Sequence, residues 1–205
     1  MNNKNGKRIS LDLDGVCSDL TPMVDKILQE QFPDPRERAI VVNILRGGRN
    51  PGIRLDRFDK AFDDRYYAEL DSLPQNAGCS EGIITLQKAG YGLMIHSLRP
   101  SMYNDVRYQM NTITQNWLKK NGINIPFFAA QTLDDKCKAI TQYSPEAHVD
   151  DSIGVFQRLT SIELMKGLQS GEKIYFHNTF NPESTEYHQV ESWPELVDHI
   201  QRKTS

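Results

Sequence analysis

Beyond Ser80 the sequence alternates short apolar runs with stretches of helical periodicity, and a run of the same kind lies near its start. Ile9, Leu11 and Leu13 alternate with Ser10 and Asp12, which reads as a strand running into a turn at Gly15. Further strands are expected at Gly92-Leu93-Met94-Ile95, Phe127-Phe128-Ala129-Ala130 and Ala147-His148-Val149, with Ile174-Tyr175-Phe176 as the last. Helices are expected over 81–88, from a cap at Ser101 towards Gly122, over 136–143 and from Ser152 onward. Val106, Met110, Ile113, Trp117 and Leu118 would form the apolar side of the second of these. Ser192 and Glu195 have capping-box spacing for a final helix. Strands that alternate with helices imply an α/β class, a Rossmann-like parallel sheet with helices on both faces.

The span 17–73 breaks this alternation. Thr21-Pro22 reads as a cap followed by proline at the first helical position, and Val24, Ile27, Leu28 and Phe32 continue with helical spacing. Helices over 36–45 and 57–70 follow, separated by a loop containing Gly47, Gly48, Pro51 and Gly52. The expected organisation is therefore a core of residues 1–16 and 74–205, with a small helical cap of residues 17–73 inserted after the first strand. A length of 205 residues suits one domain with such an insertion.

Composition narrows the function classes. A net charge of −3 gives no basic nucleic-acid footprint, and no stretch approaches the ~20 apolar residues of a membrane helix. The polar start is not that of a secretory signal. Cys17, Cys79 and Cys137 are odd in number and widely spaced, which suits reduced thiols in a cytoplasm.

The chemistry lies at the strand ends. Asp12 and Asp14 end the first strand, Ser97 the second, and Asp150-Asp151 a later one, while Lys136 opens a helix. In a parallel sheet these side chains gather at one edge, where open α/β sheets build their sites. Each alone is ordinary turn or cap chemistry. Together they suit phosphoryl transfer: carboxylate oxygens for magnesium, one aspartate to attack phosphorus, a second to move the proton, and a hydroxyl and an ammonium for the transferring oxygens.

These residues carry a resemblance. Ile9 to Val16, Met94-Ile95-His96-Ser97, Lys136 and Val149-Asp150-Asp151 resemble, in order, the four motifs of the haloacid dehalogenase (HAD) superfamily of phosphatases. The resemblance implies Asp12 as nucleophile and Asp14 as general acid and base. Ser97, Leu98 and Lys136 would bind phosphate, with Lys138 a rival for the lysine. Asp12, Asp14 through its main-chain carbonyl, Asp150 and Asp151 would hold Mg2+. Ser97 to Pro100, the stretch Phe176 to Asn181 and the tail Val190 to Leu196 are similar to the 5′(3′)-deoxyribonucleotidase group. That likeness implies a small phosphorylated substrate, a nucleotide in the first place, and no stable nucleic-acid complex; a homodimer is left open.

Phe58, Phe62, Tyr66 and Tyr67 in the expected cap could stack on a base or form the cap's own core, and Arg46, Arg49, Arg54 and Arg57 could meet a second anion or face solvent. Gly47 and Gly52 lack the lysine of a triphosphate loop. His96 should point away from Ser97, and His148 should pack under a helix. The alternatives kept open are a phosphatase for a sugar phosphate, another small phosphometabolite or a nucleic-acid 3′-phosphate, an inactive binding or regulatory module of the same fold, and a receiver domain.

Overall fold

A computed structural model describes residues 7–50, 52–99, 104–167 and 171–203, without the side chains of 104–109. Ser101 as a helix cap and the side chain of Val106 lie outside the described residues. The elements in chain order are β1 (Arg8–Leu11), α1 (Thr21–Gln31), α2 (Pro35–Leu45), α3 (Asp56–Glu69), a 3-10 turn (Leu70–Ser72), α4 (Cys79–Lys88), β2 (Gly92–Leu98), α5 (Asn104–Lys120), β3 (Phe127–Ala130), α6 (Leu133–Tyr143), β4 (Ala147–Asp150), α7 (Ile153–Lys166), β5 (Glu172–Phe176), β6 (His188–Val190) and α8 (Trp193–Arg202).

The six strands form one parallel sheet in the order β3-β2-β1-β4-β5-β6. β1 lies inside the sheet, so Ile9, Ser10 and Leu11 are buried, while Arg8 at its start is exposed. The chain winds from β1 towards β3 on one side and from β4 towards β6 on the other. The reversal lies between β1 and β4, where such sheets open a crevice at their carboxyl ends. Helices cover both faces. Ile83 and Leu86 of α4, Trp117 of α5 and Trp193, Leu196 and Ile200 of α8 share a core with Ile9, Leu11 and Ile95. Cys137 and Ile140 of α6 pack with Phe156 and Leu159 of α7 in another cluster.

The insertion after β1 has its own core of Met23, Val24, Ile27, Leu28, Phe32, Val41, Phe58 and Leu70, joined by Met110 of α5. Two details differ from expectation. Thr21 is the first residue of α1, one position earlier than expected, and Asp19 accepts its N–H at 2.9 Å. The strand expected to be last is followed by β6, whose His188 and Gln189 carry no apolar signal. At the far end Ser192 caps α8 by accepting from Glu195 N–H at 3.4 Å, and Trp193 Nε1 donates to Val16 O at 2.8 Å. The tail thus pins the loop that follows β1.

Candidate active site

Beyond the ends of β1, β2 and β4, polar side chains converge. Asp12 directly follows β1, and its N–H donates to Val149 O of β4 at 2.8 Å. Asp150 ends β4. Lys136, in the first turn of α6, lies between the two carboxylates: its Nζ donates to Asp12 Oδ1 at 2.8 Å and to Asp150 Oδ2 at 2.7 Å. Lys138, its rival in the sequence, is exposed and does not line the hollow around Asp12 and Asp150. Asp12, Asp150 and Asp151 each offer an oxygen, all within 4.8 Å of one another. Asp151 is steadied from the β5–β6 connection by the Asn178 amide at 3.2 Å and by Asn181, which also donates to its main-chain carbonyl at 2.7 Å. Gly15, at φ +77°, makes room for it: a β-carbon there would lie 1.9 Å from Asp151 Oδ2.

Burial raises the Asp12 pKa to about 7, because the Lys136 charge only partly offsets lost hydration and Asp150 and Asp14 repel a further negative charge. Asp151 is pushed well above the carboxylate range by burial and then by Asp150 and Asp12. Burial acts on Asp150 in the same sense, but Lys136 and His148 outweigh it and hold the group below its usual value. Lys136 is likewise raised against the effect of burial by its two carboxylate partners. Repulsion and burial thus hold protons on this cluster, and ionising all three carboxylates calls for a cation beyond the single ammonium of Lys136. The donor set therefore fits magnesium, a divalent cation that takes hard carboxylate oxygens.

A polar chain runs below the cluster. His148 Nε2 is 3.1 Å from Asp150 Oδ2, and a carboxylate only accepts, so Nε2 carries the proton. His148 Nδ1 then accepts from the Ser10 hydroxyl at 2.8 Å, and Ser10 accepts from His96 Nδ1 at 2.8 Å. His96 is thus bonded to Ser10 and faces away from Ser97. His148 also packs edge-on against Phe156 of α7.

Asp14 turns towards the insertion. Its Oδ2 accepts from Arg99 Nη1 at 2.5 Å and from Tyr66 Oη at 2.8 Å, with Ser97 Oγ at 3.4 Å. Tyr66 ends a ladder on α3: Phe58 and Phe62 are 6.0 Å apart, and Phe62 stacks on Tyr66 at 5.8 Å, as four-residue spacing allows.

Asp12, Asp14, Ser97, Leu98, Lys136, Asp150 and Asp151 all line one hollow of about 300 Å3. Asp151 also lines a neighbouring cavity of about 570 Å3, walled by Val24, Phe58, Phe62, Asn178 and Phe180 among others. The four aromatics of the insertion divide. Phe58 and Phe62 face this cavity, Tyr66 is bonded to Asp14, and Tyr67 is an outer residue edge-on to Tyr66. Arg46, Arg49, Arg54 and Arg57 line neither hollow. Arg54 pairs with Asp56, Arg57 with Glu37, and Arg46 donates to Thr179 O. Sequence reasoning passed over Arg99 as a site residue, although it stands two positions after Ser97 at a strand end.

No family model matches the sequence, and no curated protein does. Solved structures do match. YfnB from Bacillus subtilis, described as a HAD-hydrolase and bound to magnesium, aligns over 96% of this chain and 98% of its own at 13% identity, with a TM-score of 0.56. CbbY from Rhodobacter sphaeroides in complex with phosphate aligns over 94% and 96% at 16% identity and a TM-score of 0.53. D,D-heptose 1,7-bisphosphate phosphatase from Burkholderia thailandensis aligns over 95% and 98% at 12% identity and a TM-score of 0.51. At these identities the likeness is one of fold. The chain has the fold of the HAD hydrolases.

Proposed function

We propose that the chain is a magnesium-dependent phosphomonoester hydrolase that works through an aspartyl-phosphate on Asp12 and prefers nucleoside monophosphates, deoxy forms included. The observation that carries the hydrolase reading is the convergence of Asp12, Asp14, Ser97, Lys136, Asp150 and Asp151 on one 300 Å3 hollow. In this reading an Asp12 oxygen attacks phosphorus, the bond to the leaving oxygen breaks, and Asp14 supplies that oxygen with a proton. Asp14 then takes a proton from water, the water oxygen attacks phosphorus, and inorganic phosphate leaves as Asp12 is regenerated. Ser97, Leu98 and Lys136 hold the transferring oxygens. Asp12, the Asp14 carbonyl, Asp150 and Asp151 would hold magnesium, which would supply charge neutralisation at the phosphoryl group. The magnesium bound by YfnB and the phosphate bound by CbbY support this assignment.

Residues 17–73 act as the cap that selects the leaving group. The 570 Å3 cavity has room for a sugar and a base, Phe58 and Phe62 give it flat apolar walls, and Asn76, Asn178 and Asn181 give it amides. Among the described residues no lysine or arginine lines it, which disfavours a second phosphate. A sugar phosphate is the second reading, favoured by the likeness in fold to a heptose bisphosphate phosphatase. The test is phosphate release from a panel of nucleoside monophosphates, sugar monophosphates, sugar bisphosphates and an aryl phosphate, with and without magnesium. The expected result is magnesium-dependent release that is fastest from nucleoside monophosphates. A preference for sugar phosphates overturns the nucleotide reading alone. No release from any ester identifies an inactive module of the same fold.

A further inference from the structure

The hydrolase reading gives Asp14 a proton-transfer role but does not say what aims its carboxyl group. Two residues from opposite sides contact it, and neither belongs to the four superfamily motifs. Arg99 follows β2, is 2% exposed, and reaches Asp14 with two nitrogens, Nη1 to Oδ2 at 2.5 Å and Nη2 to Oδ1 at 3.4 Å. Its own position is fixed from behind, since Nε donates to Thr114 Oγ1 of α5 at 3.1 Å and Nη1 to Leu98 O at 2.9 Å. Tyr66 comes from α3 of the insertion and donates its hydroxyl to Asp14 Oδ2 at 2.8 Å. The ring is held by its stack on Phe62, which faces the 570 Å3 cavity, so whatever fills that cavity presses on the same aromatic ladder.

We propose that Arg99 and Tyr66 form a clamp that sets the orientation of the Asp14 carboxyl, Arg99 as the fixed arm on the sheet and Tyr66 as the arm that the helical insertion carries. This inference rests on the hydrolase reading above. The clamp makes proton delivery to the leaving oxygen depend on the insertion being seated over the core. Arg99 suits the fixed arm because a planar guanidinium addresses both carboxylate oxygens, which a lysine ammonium does not. Both residues are positioning residues: they act on substrate through Asp14.

Such a role predicts that damage follows the leaving group. An alkyl phosphate releases a basic alkoxide that needs a proton. A dinitrophenyl phosphate releases a phenolate that leaves without one. The quantity to compare is kcat/KM, which reports transfer to Asp12 and not the later hydrolysis. Tyr66→Phe keeps the ring and its stack and removes only the hydroxyl. We expect it to lower kcat/KM by about tenfold or more with an alkyl phosphate, and Arg99→Lys by about a hundredfold, within the range of general-acid contributions. Each variant should lose several-fold less with dinitrophenyl phosphate, so that log kcat/KM falls more steeply with leaving-group pKa than in the wild type. Equal losses on both esters, or no loss on either, overturn the clamp while leaving the hydrolase reading in place. A wild-type protein inactive on both esters overturns the hydrolase reading and the clamp with it. Should Arg99→Lys fail to fold, the Tyr66→Phe comparison decides alone.

Discussion

At the scale of single residues, the site is a problem of charge. Asp12, Asp150 and Asp151 crowd three carboxylates around the single ammonium of Lys136. Lys136 is 3% exposed and spans Asp12 and Asp150, so removing either partner strips one side of a buried cation. Asp150→Ala should therefore do more than remove one metal ligand. The magnesium concentration for half-maximal activity should rise by more than the ~10–100-fold typical of losing an outer partner. A titration of activity against magnesium checks this, and an unchanged midpoint would remove Asp150 from the metal site. Asp14→Asn keeps the shape of the side chain but cannot supply a proton, so turnover of an alkyl phosphate should fall by ~10²–10⁴-fold. Steady-state rates at saturating magnesium measure this. His148, behind Asp150, and Asn178 and Asn181, beside Asp151, hold the cluster from outside it.

At the scale of elements, α3 joins two tasks. Phe58, Phe62 and Tyr66 recur every four residues, so one face of the helix meets the cavity and ends at Asp14. Phe58 is 6% exposed and belongs to the insertion's own core, so truncating it to alanine also costs about 3–5 kcal/mol of packing. Phe62 is only partly buried and gives the cleaner test. Phe62→Ala should raise KM for a nucleoside monophosphate by the equivalent of about 1–3 kcal/mol while changing KM for a small aryl phosphate little. Equal changes for both substrates would make Phe62 structural. The same helix marks what sequence reading can reach. Strand ends carrying Asp12, Asp14, Ser97 and Asp150 were legible because alternation and turn chemistry are local. The Arg99–Asp14 and Tyr66–Asp14 pairs were not, because they join residues 85 and 52 positions apart, the first across neighbouring strand ends and the second through the packing of the insertion. β6 was missed because His188-Gln189-Val190 offers a single apolar residue, and its pairing with β5 alone makes it a strand.

At the scale of the whole molecule, the sheet carries a buried polar spine of His96, Ser10, His148 and Asp150 through its central strands. Burial lowers the His96 pKa to about 3 and lowers that of His148 as well. A histidine in the unfolded chain takes a proton near pH 6.5, whereas folded His96 takes none until about pH 3. The unfolded state thus binds more protons between these values, and stability falls as the solution is acidified through that window. Asp12, with its raised pKa, contributes in the opposite sense, so His96→Asn is the variant that isolates the histidine. Between pH 7 and pH 5 the stability difference between wild type and His96→Asn should shift by about 2 kcal/mol against the wild type, as read by denaturant unfolding. Parallel pH profiles would contradict a neutral buried His96. The proposed mechanism turns on Asp12 as the nucleophile, and the most direct measurement is to catch phosphate on it. Asp14→Asn, given magnesium and dinitrophenyl phosphate, retains the nucleophile and a leaving group that needs no acid but lacks the base for hydrolysis. After acid quench, peptide mass spectrometry should find phosphate on Asp12, and Asp12→Asn should neither trap phosphate nor turn over. Turnover by Asp12→Asn, or phenolate release from Asp14→Asn with no phosphorylated Asp12, would contradict the mechanism.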